Sequence, residues 1–223
     1  MKRSDPPAEA EIAAALAVHG LAPRGGIVFG DDEDAPAKTV LLVGNAGAEY
    51  WRHFSRWRER QPPALENPLD TWSRTVIGDV AKRFGARVLM PNDRPFAPFQ
   101  QWAMRAERLK PSPLGILVHP EYGLWHAFRG ALLFDVEIAV ARPGASVHPC
   151  DLCAAKPCLS ACPVSAFSAE GFAYERCVAH VRGPQGAACR ERGCLARNAC
   201  PVGESWRYPA EVQAFHQKAF AKL

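Results

Sequence analysis

The stretch CDLCAAKPCLSACP, at residues 150–163, brings four cysteines into fourteen positions. A second group of four follows at positions 177, 189, 194 and 200. In both groups the last cysteine is joined directly to a proline, in Cys162-Pro163 and Cys200-Pro201. These are all eight cysteines of the chain, and its first 149 residues contain none. Such crowding indicates metal binding, because disulfides would be spread through a secreted domain and would not persist in a reducing compartment.

The order of three cysteines and a fourth joined to proline is that of the bacterial two-cluster ferredoxins, with longer inserts here. A 4Fe–4S cubane needs four thiolates around one compact core, and a wrapping loop with closely spaced cysteines supplies three of them. The crossed connectivity of those ferredoxins takes the fourth thiolate from the other group. Carried onto this sequence, it implies two 4Fe–4S clusters, a first set of Cys150, Cys153, Cys158 and Cys200, and a second set of Cys162, Cys177, Cys189 and Cys194.

The alternative to iron is zinc, with two sites of four cysteines each. Zinc ribbons usually pair one C-x2-C motif with another, and a repeated Cys-Pro step is not part of that pattern. The spacing therefore favours iron–sulfur clusters and leaves a structural zinc module as the alternative.

The composition limits the other classes of protein to which the chain could belong. The 223 residues are 48% hydrophobic, which predicts one or two globular domains, and the net charge of +4 is too small to predict a nucleic-acid partner. No apolar run approaches the roughly 18–20 residues of a membrane span. Residues 12–18 are apolar but follow acidic residues, so we expect an amphipathic helix there and no secretory signal. These features predict a cytoplasmic protein without a membrane partner.

Five arginines stand among the cysteines, namely Arg176, Arg182, Arg190, Arg192 and Arg197. An oxidised cluster with four thiolates carries a charge of about −2, so two clusters would bring the formal charge close to zero. The arginines would offset added negative charge and raise the reduction potentials. A solvated surface position is the alternative for each of them.

Periodicity and turn residues predict a mixed α/β domain at residues 1–145. Two β-prone runs at 114–118 and 125–140 flank a turn and are expected to pair as an antiparallel hairpin. Residues 146–205 would form a second, cysteine-bearing domain. Residues 206–223 contain a final helix, and a family resemblance carried by the segment 119–130 implies that this helix docks back on the first domain.

The segment HPEYGLWHAFRG, residues 119–130, resembles the H-P-x-[FY]-G-x-W-x-x-x-R-G run of the cobalamin-processing (decyanating and dealkylating) trafficking proteins. That resemblance implies an α+β fold with a nitroreductase-like domain. The cysteine half resembles the dicluster domain of epoxyqueuosine reductases and reductive dehalogenases. Those enzymes pass electrons to a cobalamin held by a nitroreductase-like domain, so both resemblances imply corrinoid redox chemistry.

The first resemblance also implies site residues. In that family the arginine of R-G lies in the pocket of the thiol cosubstrate, which makes Arg129 a contact for an anion or a propionamide. Trp125 and Tyr122 would flank a planar corrin, and His119 would be an axial ligand. The alternatives are a surface arginine, core aromatic residues and a structural turn histidine. No catalytic residue is assigned.

These observations predict an iron–sulfur oxidoreductase whose two clusters deliver electrons to a corrinoid, for its reduction or for removal of its upper ligand. One rival is a dicluster electron carrier whose partner is another redox protein. A flavin-dependent reductase is the other rival, and flavin is the less favoured cofactor. Nitroreductase-like domains commonly pair, which is compatible with a homodimer.

Overall fold

The structure is a computed structural model that describes residues 7–141, 144, 147–168 and 170–223. It is a mixed fold of helices and antiparallel sheet, with 42% helix and 17% strand, which confirms the predicted α+β class. The domain boundary that we place between residues 145 and 146 lies outside the described residues. No helix among the described residues combines the length and apolar character needed to cross a bilayer.

The helices of the described chain, in order, are α1 (Glu9–Ala17), α2 (Glu49–Arg58), α3 (Pro68–Arg83), α4 (Phe99–Glu107), α5 (Pro149–Leu152), α6 (Pro157–Ser160), α7 (Tyr174–Arg182), α8 (Ala187–Arg192), α9 (Leu195–Asn198) and α10 (Ala210–Ala221). The strands are β1 (Ala22–Val28), β2 (Thr39–Ala46), β3 (Arg87–Leu89), β4 (Lys110–Pro111), β5 (Leu117–Val118), β6 (His126–Phe134), β7 (Phe167–Ser168) and β8 (Gly171–Phe172).

The chain forms two compact units. The first consists of Met1–Arg108 and Ala127–Ala145, and the second of Leu109–His126 and Ser146–Leu223. Residues 109–126, which the sequence interpretation assigns to the first domain, are therefore grouped with the cysteine-rich segment. The HPEYGLWHAFRG segment is divided between the units, since it runs from residue 119 to residue 130.

A four-stranded sheet in the order β1-β2-β6-β3 forms the centre of the first unit. The run Val40-Leu41-Leu42-Val43 is fully buried on β2, as expected of an apolar strand covered on both faces. Helices α1 and α4 pack against β1, α2 against β2, and α3 against β3. The β1–β2 register shifts between Pro23 and Gly26, which marks a bulge beside the buried Arg24.

The hairpin predicted from runs 114–118 and 125–140 is not formed. Strand β5 pairs instead with β4, and β6 lies between β2 and β3 in the four-stranded sheet. The physical reason lies in the turn between the runs, which closes on itself through an antiparallel bridge of His119 with Gly123. The buried run of β6 is instead long enough to form an inner strand of the main sheet.

Four helices of the second unit, α5 to α8, each carry one cysteine, and the other four cysteines lie outside helices. Helix α6 packs against α9, and α10 packs against α8 and α7. The C-terminal helix, for which we predict docking on the first domain, thus has its strongest packing within the cysteine-rich unit. Strands β7 and β8 form a small antiparallel pair between the two cysteine groups.

Gly123 provides a test of the close approach between two turns of this unit. It has a φ of +56°, and a Cβ placed there would collide with the carbonyl of Val202. Gly115 also has a positive φ, +74°, but a Cβ there meets nothing within 4 Å. We expect Gly115→Ala to lower the free energy of unfolding by about 1 kcal/mol, the cost of the left-handed backbone. Gly123→Ala should lower it by roughly 3 kcal/mol in urea unfolding. Equal losses in the two variants would contradict this close approach.

Candidate functional site

The first predicted cysteine set lines one cavity in the second unit. Cys150, Cys153, Cys158 and Cys200 share its wall with apolar side chains that include Leu114, Leu124 and Val202. Cys158 and Cys200 are buried and belong to one core cluster with Leu114, Leu124 and Ala196. The backbone carbonyl of Cys150 accepts a hydrogen bond from the Lys156 ammonium group. The structure thus brings together four thiols, two of them buried, in a cavity lined mainly by apolar side chains.

The second predicted set is also brought together. The pKa of the Cys177 thiol responds to the charges of Cys194, Cys162 and Cys189, which are its neighbours in space. Cys189 is buried with Val181 and Ala221, and Cys177 packs against that cluster. Cys177 thus lies near the other three members of the second set, and the crossed ligand assignment stays a prediction.

A backbone N–H group points at a thiol of the second set. The N–H of Ala166 donates to the sulfur of Cys162 at 3.3 Å. Hydrogen bonds from backbone N–H groups to ligand sulfurs are among the factors that set the reduction potential of an iron–sulfur cluster.

Burial raises the pKa of most of these thiols. It is the largest cause for Cys150, Cys158, Cys177, Cys189 and Cys194, and it raises the pKa of Cys177 to about 11. Metal ligands must be deprotonated, so metal binding at these sites would release protons.

The kind and number of the donor atoms determine which metal group the two thiol sets could bind. Four thiols per set, with apolar neighbours and backbone donors, are the ligands that 4Fe–4S clusters use. Among the described residues, no three His, Cys, Asp or Glu side chains meet closely enough to hold one metal ion. The sets are accordingly two groups of neighbouring thiols, and they are the residues of this chain that fit clusters.

The His119 side chain is hydrogen-bonded within the turn on which it lies. Its Nδ1 accepts hydrogen bonds from the backbone N–H groups of Glu121 and Tyr122, both at 3.1 Å, and its ring stacks on Tyr122 at 4.0 Å. A neutral imidazole with Nδ1 as acceptor carries its proton on Nε2. Axial ligation by Nε2 would require the other tautomer and would break both bonds. The geometry therefore favours the structural alternative over the predicted axial ligand.

Trp125 occupies a core position. It is fully buried, the guanidinium of Arg197 lies over its ring at 4.5 Å, and Tyr208 meets it edge-on at 5.5 Å. Tyr122 is half-buried and meets Trp206 edge-on at 4.8 Å. Both aromatic residues predicted to flank a corrin are thus packed within the second unit.

Arg129 lies on β6 in the first unit and, like the buried indole N–H of Trp125, keeps a donor without a hydrogen-bond partner among the described residues. Its Nε donates to the Asn45 side chain at 2.9 Å, and its guanidinium lies 4.8 Å from the centre of the Tyr50 ring. Its Nη2 is buried, and among the described residues it has no hydrogen-bond partner. Buried donors are nearly always paired, so this atom fits an acceptor supplied by a ligand.

Asn45 is a residue that the sequence interpretation missed. Its amide N–H donates to the Gly47 carbonyl at 2.9 Å, which turns its oxygen toward Arg129. Its backbone carbonyl accepts from Arg24 at 3.0 Å, and Arg24 is held by two hydrogen bonds of 2.7 Å to Glu107. No local motif marks Asn45, since its partners stand far away in the chain.

These features define an α+β protein in which one unit carries two sets of four thiols. A solved structure of epoxyqueuosine reductase from Streptococcus thermophilus is similar to it, with a TM-score of 0.54 and 15% sequence identity over 90% of this chain and 67% of that chain. At this identity the similarity shows the fold alone. Epoxyqueuosine reductases are one of the families that the cysteine half resembles, whereas the cobalamin-processing resemblance remains a prediction. No family model and no curated protein matches the chain.

The raised thiol pKa values predict how the stability of the reduced, metal-free protein depends on pH. An unfolded Cys177 loses its proton near pH 9, whereas the folded thiol keeps it up to about pH 11. The unfolded state binds fewer protons in this window, so the free energy of unfolding should fall as pH rises from about 9 to 11. Urea unfolding of the wild type and of Cys177→Ser measures the slope. A variant with an undiminished slope would contradict the assigned pKa.

Proposed function

We propose that this chain is an iron–sulfur oxidoreductase that holds two 4Fe–4S clusters and delivers electrons to a corrinoid. The observation that carries the proposal is the gathering of eight thiols into two sets of four. When bound, the clusters would supply one-electron transfer at low potential.

The protein's own residues would position the clusters and shield them from water. The first set would hold one cluster in a cavity closed by Leu114, Leu124 and Val202, which limits the access of water. The second set would hold the other cluster, with the backbone N–H of Ala166 directed at the sulfur of Cys162. Excluding water and directing hydrogen bonds at sulfur both tune the potential of a cluster.

The buried Nη2 donor of Arg129 is suited to a ligand that carries carbonyl or carboxylate oxygens. A corrinoid carries propionamide side chains, and an amide oxygen can accept from the buried Nη2. Asn45 fixes the orientation of the guanidinium, so this donor is preorganised. Arg129 is therefore the residue that we assign to corrinoid binding in the first unit.

Ligand assignment can be tested by iron analysis of anaerobically purified variants. Cys158→Ala and Cys200→Ala remove thiols of the same set, so each should lose about four irons and leave the same remaining cluster signal. Cys189→Ala should lose the other four. If the first two variants lost different clusters, the crossed assignment would be wrong.

The acceptor is tested by titrating reduced, cluster-loaded protein with hydroxocobalamin in the absence of oxygen. The account expects stoichiometric binding and conversion to the cob(II) or cob(I) spectrum. Arg129→Met should weaken binding by about tenfold or more, since it removes a charged hydrogen-bond donor. Arg87→Met is the matched control, because Arg87 is an exposed arginine on the neighbouring strand β3.

A dicluster electron carrier is the second candidate. The packed positions of Trp125 and His119 favour it, because they remove two of the predicted corrin contacts. In that case the titration would leave the clusters reduced beside an unchanged corrinoid spectrum. Flavin released on denaturation would instead show the flavin-dependent reductase.

A further inference from the structure

Arg197 stands out among the five arginines near the cysteines because its side chain is held on several sides. Its guanidinium lies over the rings of Trp125 and Tyr208, at 4.5 and 5.0 Å from their centres. Its Nε donates to the carbonyl of Leu124 at 3.1 Å, and its Nη2 donates to the same oxygen. A guanidinium stacked on two aromatic rings and bonded to a carbonyl keeps one position.

Arg197 lies next to the first thiol set. Its carbonyl accepts from the N–H of Cys200 at 3.2 Å, and Cys200 belongs to that set. Leu124, the partner of its side chain, lines the cavity of the same set. Arg197 therefore holds a fixed positive charge against the wall of the first cavity.

A fixed charge there differs from a charge in solvent. Each one-electron reduction adds one negative charge to a cluster, and a nearby cation in a partly buried site stabilises the reduced form. Solvent and salt screen an exposed cation much more strongly. Arg192 has the same charge and stands two residues before Cys194, but it is exposed.

We propose that Arg197 is a positioning residue that raises the reduction potential of the cluster held by the first set, through a guanidinium held against the rings of Trp125 and Tyr208. This inference rests on the proposed function, since it requires bound clusters. It assigns to Trp125 a role in redox tuning, by holding Arg197, in place of contact with a corrin.

The test is a potentiometric titration with dithionite, followed by electron paramagnetic resonance, on anaerobically purified protein. Arg197→Gln removes the charge and should make reduction about tenfold less favourable, which for a one-electron couple is a fall of about 59 mV. Arg197→Lys keeps the charge and should retain most of the wild-type potential. Arg192→Gln, the matched control, should shift it much less.

Different failures are distinguishable. Iron and acid-labile sulfide are measured on every variant, so a loss of clusters is separated from a change in potential. A full iron content with equal potentials in wild type and Arg197→Gln overturns the inference and leaves the proposed function standing. Wild-type protein without iron and sulfide overturns both. Should Arg197→Gln fail to fold, an unchanged potential in Trp125→Leu, which removes a ring that holds the guanidinium in place, also overturns the inference.

Discussion

The pairing of helices α6 and α9 is the contact on which the second unit depends. Thiols of both sets lie within or beside each of these one-turn helices. Cys158 lies within α6 and Cys162 follows it, while Cys194 precedes α9 and Cys200 follows that helix. Because the two helices pack together, one contact places both sets at once. A proline after Cys162 and another after Cys200 then turn the chain away, which a continuing helix would not allow.

The segment 109–126 completes this arrangement from outside the cysteine-rich stretch. Leu114 and Leu124 close the first cavity, and the turn at Gly123 meets the backbone of Val202. His119 stabilises that turn through its Nδ1. The motif that resembles a cobalamin-processing run thus has a packing role within this unit, while its arginine remains in the sheet of the first unit. The first part of the motif therefore contributes to packing in the second unit, and Arg129 belongs to the sheet of the first unit.

Sequence patterns predicted those parts of the molecule that local chemistry determines. The α+β class, implied by the family resemblance, is confirmed, and the two ligand sets remain what the resemblance to two-cluster ferredoxins implies. The partner of a strand, by contrast, depends on distant residues, and for this reason the hairpin prediction for 114–118 and 125–140 was wrong. Asn45 was missed for the same reason, because its contacts to Arg129 and Arg24 span 84 and 21 residues of sequence. The contacts that hold the side chains of His119 and Trp125 could not be predicted either, because they depend on the folded turn and on the packed core.

The central claim is that the eight thiols hold two cubane clusters, and Mössbauer spectroscopy of the anaerobically purified, iron-57-labelled protein tests it most directly. The account predicts about eight irons per chain, all in the quadrupole doublets of 4Fe–4S clusters. A chain with full zinc content and no cluster iron, or with iron only in mononuclear four-sulfur sites, would contradict it.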